Sequence, residues 1–175
     1  NVTYTASGTY TYTSLNTAGC VNTATLTLTI NPLPNVTTTA TASTLCAGGS
    51  TTITANGAST YTWMPGSLTG TSVTVNPSST TTYTVTGTST AGCSKTATRT
   101  ITVNPLPSVT TTTTAEVICA GTSTSITANG ASTYSWMPGS LTGTTVTVSP
   151  SVTTTYTVTG TSAAGCTNTA TRTIT

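Results

Sequence analysis

Apolar and polar residues alternate with a period of two along most of the chain, and no segment shows the 3.6-residue recurrence of an amphipathic helix. Between residues 32 and 104 this alternation predicts strands near Val36–Thr41, Thr51–Ala55, Thr60–Trp63, Ser72–Asn76, Thr81–Thr88 and Ser94–Val103. Turn signals separate them: Ala47-Gly48-Gly49, Asn56-Gly57, Pro65-Gly66, Pro77-Ser78 and Ala91-Gly92. One side of the predicted strands carries Ile53, Trp63, Val73, Val75, Tyr83, Val85, Ala97, Ile101 and Val103, and the other is almost wholly threonine. Short strands at this density predict a small β-sandwich with the apolar set inside.

The pattern returns with a period of 73 residues when the chain is slid against itself. Cys20, Cys93 and Cys166 fall on that spacing, as do Cys46 and Cys119, Trp63 and Trp136, and Tyr10, Tyr83 and Tyr156. Thr54–Tyr61 recurs unchanged as Thr127–Tyr134. The predicted fold is therefore all-β, a tandem array of immunoglobulin-like β-sandwich modules. Residues 1–31 are the C-terminal part of one module, 32–104 a complete module and 105–175 a nearly complete one. The expected core of each copy centres on Trp63, Tyr83 and Ile53, and on Trp136, Tyr156 and Ile126. The joints contain Pro32 and Pro34, then Pro105 and Pro107; proline fixes φ and restrains its predecessor, so stiff linkers are expected.

Composition changes this picture in two ways. Leu, Ile and Val total only 27 residues, and about a third of the chain is Thr, so the core must be thin. Disorder by composition needs high net charge, whereas the only charged residues are Lys95, Arg99, Glu116 and Arg172, and Thr, Val and Tyr favour a pleated, half-buried surface. A net charge of +2 makes no basic patch, so nucleic acid is not an expected partner. No apolar run approaches the roughly 20 residues of a membrane-spanning helix. No signal peptide is present, and because Asn1 opens within a strand-like pattern, the natural N-terminus is expected elsewhere.

Cys46 and Cys93 bracket four predicted strands, an even number of traversals, which predicts that both end at one pole of the sandwich. A disulfide there would close a loop of 48 residues, a contribution of about 4 kcal/mol in the loop-entropy account. Cys119–Cys166 repeats the arrangement, and Cys20 is left with its expected partner before Asn1. Disulfides at this density imply an extracellular or cell-surface location.

Catalysis by general acid–base or nucleophilic routes needs a titratable base, and the chain has no His, no Asp and a single Glu. No catalytic residue, metal site or cofactor is expected, and the chain is read as a non-enzyme. Glu116 and Lys95 occur in one repeat each and are read as solvated surface residues. Arg99 shares its phase with Ala97 and Ile101, where residues 1–31 have Leu26. Two readings stand side by side for it: a cation–π contact of Arg99 on Trp63, matched by Arg172 on Trp136, or a solvated sheet edge. Asn-X-Thr sequons begin at Asn1 and Asn35.

The motifs Cys46-Ala47-Gly48, Ile53-Thr54-Ala55, Tyr61-x-Trp63-x-Pro65, Thr82 to Thr88, Ala91-Gly92-Cys93 and Thr100 to Pro105 resemble the Ig-like/PKD-like repeats of large Bacteroidota surface proteins. Those proteins are typically secreted by the type 9 system and include adhesins. Met64-Pro65-Gly66 stands where many PKD-like repeats carry acidic residues, so no PKD ligand follows. The resemblance implies a structural stalk, fibre or filament of an adhesin, whose partners are neighbouring modules and copies of itself. Two other functions fit the sequence: a glycan- or ice-binding module using Trp or Thr-rich faces, and a filament subunit in which residues 1–31 complete another chain by strand addition. Exposure of Trp63 discriminates the first of these.

Overall fold

A computed structural model describes residues 2–175, and every regular element in them is a β-strand. Asn1, which opens the first sequon, lies outside the described residues. Ahead of the first linker run β1 (Gly8–Leu15) and β2 (Val21–Leu28). Residues 32–104 carry β3 (Thr37–Ala40), β4 (Thr44–Cys46), β5 (Thr51–Asn56), β6 (Thr60–Met64), β7 (Leu68–Thr69), β8 (Ser72–Val75), β9 (Thr81–Thr88) and β10 (Ser94–Asn104). Residues 105–175 carry β11 (Thr110–Thr113), β12 (Thr124–Asn129), β13 (Thr133–Met137), β14 (Leu141–Thr142), β15 (Thr145–Val148), β16 (Thr154–Thr161) and β17 (Thr167–Ile174). By compactness the chain divides into two units: Asn1–Thr39, Thr54–Val73 and Thr84–Thr98 form one, and Ala40–Ile53, Thr74–Tyr83 and Arg99–Thr175 the other. Residues 32–104 contribute to both.

The C-terminal repeat is an immunoglobulin-like β-sandwich. One sheet has the order β11-β12-β15 and the other β14-β13-β16-β17, with every pairing antiparallel. Strands of residues 32–104 follow the same plan, in sheets of order β3-β5-β8 and β4-β10-β9-β6-β7. Two short strands, β4 and β7, do not show in the alternation because three and two residues are too few to establish a period.

Between the two C-terminal sheets Trp136 packs with Ile126, Ala128, Tyr134, Val146, Val148, Tyr156, Val158 and Ile174. Trp136 is completely enclosed and still satisfies its one donor, since its indole N–H reaches the Gly143 carbonyl at 2.9 Å. Trp63 is equally enclosed and donates to the Gly70 carbonyl at 3.0 Å. Ile53, Ile126, Tyr83 and Tyr156 are buried as well. Tyr134 closes a local clasp: its hydroxyl accepts from the Ala131 N–H at 2.7 Å and donates to the Ala131 carbonyl at 3.0 Å. The two buried threonines, Thr51 and Thr124, donate to the carbonyls of Ala42 and Ala115. The two indole N–H groups, the Tyr134 hydroxyl and the two threonine hydroxyls therefore each have a partner, as a dry interior requires.

The outer faces keep the predicted threonines, and some of them pair across strands. Hydroxyls of Thr127 and Thr145, and of Thr155 and Thr173, lie 2.9 Å apart; Thr82 and Thr100 lie 2.8 Å apart. The linker prolines divide: Pro32 and Pro105 are exposed, Pro34 and Pro107 buried. Gly160 makes room for the chain just after the second linker, because a Cβ there would fall 2.6 Å from Val109 Cγ2. Within residues 2–31, β1 and β2 pair over their full length, and Tyr12 is 69% exposed where its counterparts Val85 and Val158 are fully buried.

Two outcomes follow. Trp136→Ala removes the largest enclosed side chain of its sandwich and should lower stability by ~3–5 kcal/mol in urea unfolding. Burial raises the Tyr83 phenol above 10.0, so the neutral form is favoured in the folded state. Stability from this group is complete below pH 10 and is lost as pH rises through the folded value; Tyr83→Phe should flatten that alkaline decline in a pH series of melting curves.

Candidate functional site: the cysteine-bridged joint

The parallel pairing of β4 with the end of β10 sets Cys46 opposite Asn104, and the Ala47 N–H donates to the Asn104 carbonyl at 2.9 Å. Asn104 is the last residue before the Pro105-Leu106-Pro107 linker, so Cys46 lies at the exit of its repeat. Cys166 closes the β16–β17 turn. Gly165 sits there at φ 81°, the Ser162 N–H donates to the Cys166 carbonyl at 2.8 Å, and the turn thereby projects one sulfur from a fixed backbone.

Cys46 and Cys166 form a disulfide, with Cα atoms 5.6 Å apart and a separation of 120 positions in sequence. Cys166 Sγ lies 4.0 Å from the Asn104 carbonyl oxygen, and the Asn168 side-chain amide donates to the Pro107 carbonyl at 3.0 Å. The linker is therefore held at both ends, by a covalent bond beside Asn104 and a hydrogen bond at Pro107.

This corrects the pairing expected from strand parity. Cys93 and Cys119 are thiols, and neither Cys46–Cys93 nor Cys119–Cys166 is formed. The reason is the short strand β14, and β7 in the preceding repeat. From Cys119 to Cys166 the chain makes five traversals, β12 to β16, not four. An odd count puts the two cysteines at opposite ends of β17: Ile118 donates to the Thr175 carbonyl past its last residue, while Cys166 immediately precedes its first. Cys20 is also an exposed thiol.

Arg172 departs from the expected stacking on Trp136. Its guanidinium donates to Glu116 Oε1 at 2.5 Å and to the Thr111 carbonyl, so the head turns to an acceptor instead of a ring. Glu116 is thus an ion-pair partner, not a free surface charge. Arg99, the corresponding cation, is half-buried with an Nε lacking a hydrogen-bond partner, and Ser43 stands at the position that matches Glu116.

Neither indole can offer a face to a sugar, since both tryptophans are fully enclosed. An open groove of about 500 Å³ is lined by Ser132, Thr133, Tyr134, Ser135, Thr142, Gly143, Thr144 and Thr161. It has no charged group. Among the described residues no helix is long and apolar enough to cross a membrane.

No family model and no curated protein matches the chain. Among solved structures it is similar to a Ca2+-stabilized, ice-binding adhesin of an Antarctic bacterium, at 18% identity and a TM-score of 0.45, covering 95% of this chain and 55% of that one. Murine CEACAM1b is similar at 11% identity and a TM-score of 0.39, over 80% of this chain and 98% of that one. Fibronectin(III)-like modules of Clostridium thermocellum CbhA are similar at 12% identity and a TM-score of 0.38, over 78% and 92%. The chain thus spans about half the length of the ice-binding adhesin structure.

Peptide mapping without reductant should recover Cys46 linked to Cys166, with Cys20, Cys93 and Cys119 alkylatable. Cys46→Ser should lower stability by up to about 5 kcal/mol in the loop-entropy account of so long a closed loop. Glu116→Gln should cost under about 1 kcal/mol, because the carboxylate side chain is 63% exposed and solvent screens the pair.

Proposed function

We propose that the chain is a spacer segment of an extracellular tandem array, a stalk or fibre of adhesin type, in which residues 32–104 and 105–175 are successive modules locked end to end. One observation carries this reading: the Cys46–Cys166 bond spans the linker between repeats instead of closing a single repeat. A bond inside a module stabilises only that module, whereas one across a joint fixes the angle between neighbours and carries tension past both sandwiches. The short proline linker and the Asn168–Pro107 hydrogen bond act in the same sense. Scarce charge and solvent-facing threonine suit a module whose role is length, as in quasi-one-dimensional arrays. The likeness to repeats of Bacteroidota surface proteins belongs to this proposal.

No specific observation favours the rival functions. The enclosed indoles offer no Trp platform, and several outer-face threonine hydroxyls, such as those of Thr127 with Thr145 and Thr155 with Thr173, are taken up in cross-strand pairs. Strand addition by residues 1–31 needs a sandwich with an empty hairpin position, and in the C-terminal repeat β16 and β17 fill that position.

Pulling single molecules from the two ends tests the spacer reading. With the bond intact, the 120-residue span between Cys46 and Cys166 is withheld from extension. Reductant should then release up to ~400 Å of additional contour length, at about 3.4 Å per residue. Equal extension with and without reductant would sink the proposal. Thermal-hysteresis and ice-affinity measurements should show no activity.

A further inference from the structure

The bridge at the joint has a regularity that the three thiols share. Cys46 is the early cysteine of one repeat and Cys166 the late cysteine of the following one, so their separation is the spacing of 47 within a repeat plus one period. Under that rule Cys20, Cys93 and Cys119 have no mate within residues 1–175, and they are the three that are free. One rule accounts for all five cysteines.

Geometry at the free positions repeats the geometry at the bonded ones. Cys93 Sγ lies 3.7 Å from the carbonyl oxygen of Asn31, the residue one period before Asn104, as Cys166 Sγ lies 4.0 Å from that of Asn104. Cys93 already occupies the late-cysteine pose at the linker that begins with Pro32. At the other end, Cys119 opens the turn that Cys46 opens: the Thr122 N–H donates to the Cys119 carbonyl at 2.9 Å, and the Gly49 N–H to the Cys46 carbonyl at 2.9 Å. The surroundings differ: Cys46 ends strand β4, Cys119 lies outside any strand, and burial falls at the second pole. Pro77 is buried and Ala47 half-buried at the Cys46 pole, whereas Pro150 is half-buried and Ala120 exposed at the Cys119 pole. There an open cleft of about 220 Å³ lies between Ile118, Ala120, Pro150 and Val152.

We infer that the Cys46–Cys166 bond is one rung of a disulfide ladder: Cys119 is the acceptor for the late cysteine of a following repeat, and Cys93 for the early cysteine of a preceding one. The partner is a further copy of the 73-residue unit, seated on the cleft beside Cys119. This rests on the reading of the repeats as successive modules. Forming each rung joins two thiols into one S–S bond, and their two protons and two electrons reduce one small-molecule disulfide, such as oxidised glutathione, to two thiols.

Two extended chains test it. In the first, a copy of residues 103–175 follows Thr175, which continues the period without a break. After oxidation with glutathione disulfide, non-reducing peptide mapping should give Cys119 linked to the appended copy of Cys166, with Cys46–Cys166 retained. Alkylation should still count three thiols although the chain has gained two cysteines. In the second, a copy of residues 32–73 precedes residue 1, completing the first repeat. Cys93 should then be linked to the prepended copy of Cys46. Cys119→Ser in the first chain should leave the appended Cys166 copy alkylatable. Free Cys119 and Cys93 in both chains, with Cys46–Cys166 intact, would overturn the ladder and leave the spacer reading standing. Recovery of Cys46–Cys93 or Cys119–Cys166 would overturn both.

Discussion

In a chain with so few aliphatic residues, two sheets can stay together only if a small number of large side chains fill the space between them, and one enclosed tryptophan is the largest of these in each of the two tryptophan-bearing repeats. Trp136 touches both sheets through its neighbours Ile126 and Val158, and its indole N–H is taken up by the Gly143 carbonyl. That hydrogen bond matters because an indole buried without an acceptor would cost part of what its burial contributes. The short strands β7 and β14 follow from the same contact: the chain that turns back beside β6 and β13 leads directly into Gly70 and Gly143, the two acceptors.

Around so thin a core, threonine resolves a conflict between strand propensity and solubility. Its branched Cβ suits the pleated sheet, and its hydroxyl keeps the outer face wet. Cross-strand hydroxyl pairs such as Thr155 with Thr173 tie neighbouring strands without any charge. The sole ion pair among the described residues, Arg172 with Glu116, is confined to one repeat, so the architecture does not depend on it.

The linker between repeats adds what the sandwiches lack. Each sandwich has little apolar area to offer a neighbour, and a proline linker alone limits rotation without preventing it. A disulfide beside Asn104 and a side-chain hydrogen bond at Pro107 fix both ends of the linker. The cross-link also acts over a long closed loop, where the restriction of the unfolded chain is greatest.

Much was legible in the residues themselves. Period-two alternation marked the long strands and the 73-residue period marked the repeats, because each of these is a property of residue type and spacing. Buried Trp63, Trp136, Ile53 and Ile126 could be placed for the same reason. The cysteine pairing was not legible, because it turns on the direction in which the chain runs when it reaches each sulfur. A strand of two residues, Leu141–Thr142, has no period to read, yet it reverses the chain once more and sends Cys119 and Cys166 to opposite poles. The partner of Arg172 was hidden likewise, since Glu116 is 56 residues away and meets it only through the folded backbone. Sequence determined what each repeat is made of; the tertiary structure decided which end of it each cysteine reaches, because strand direction is set by every reversal along the chain and a pattern of types records only the longer ones.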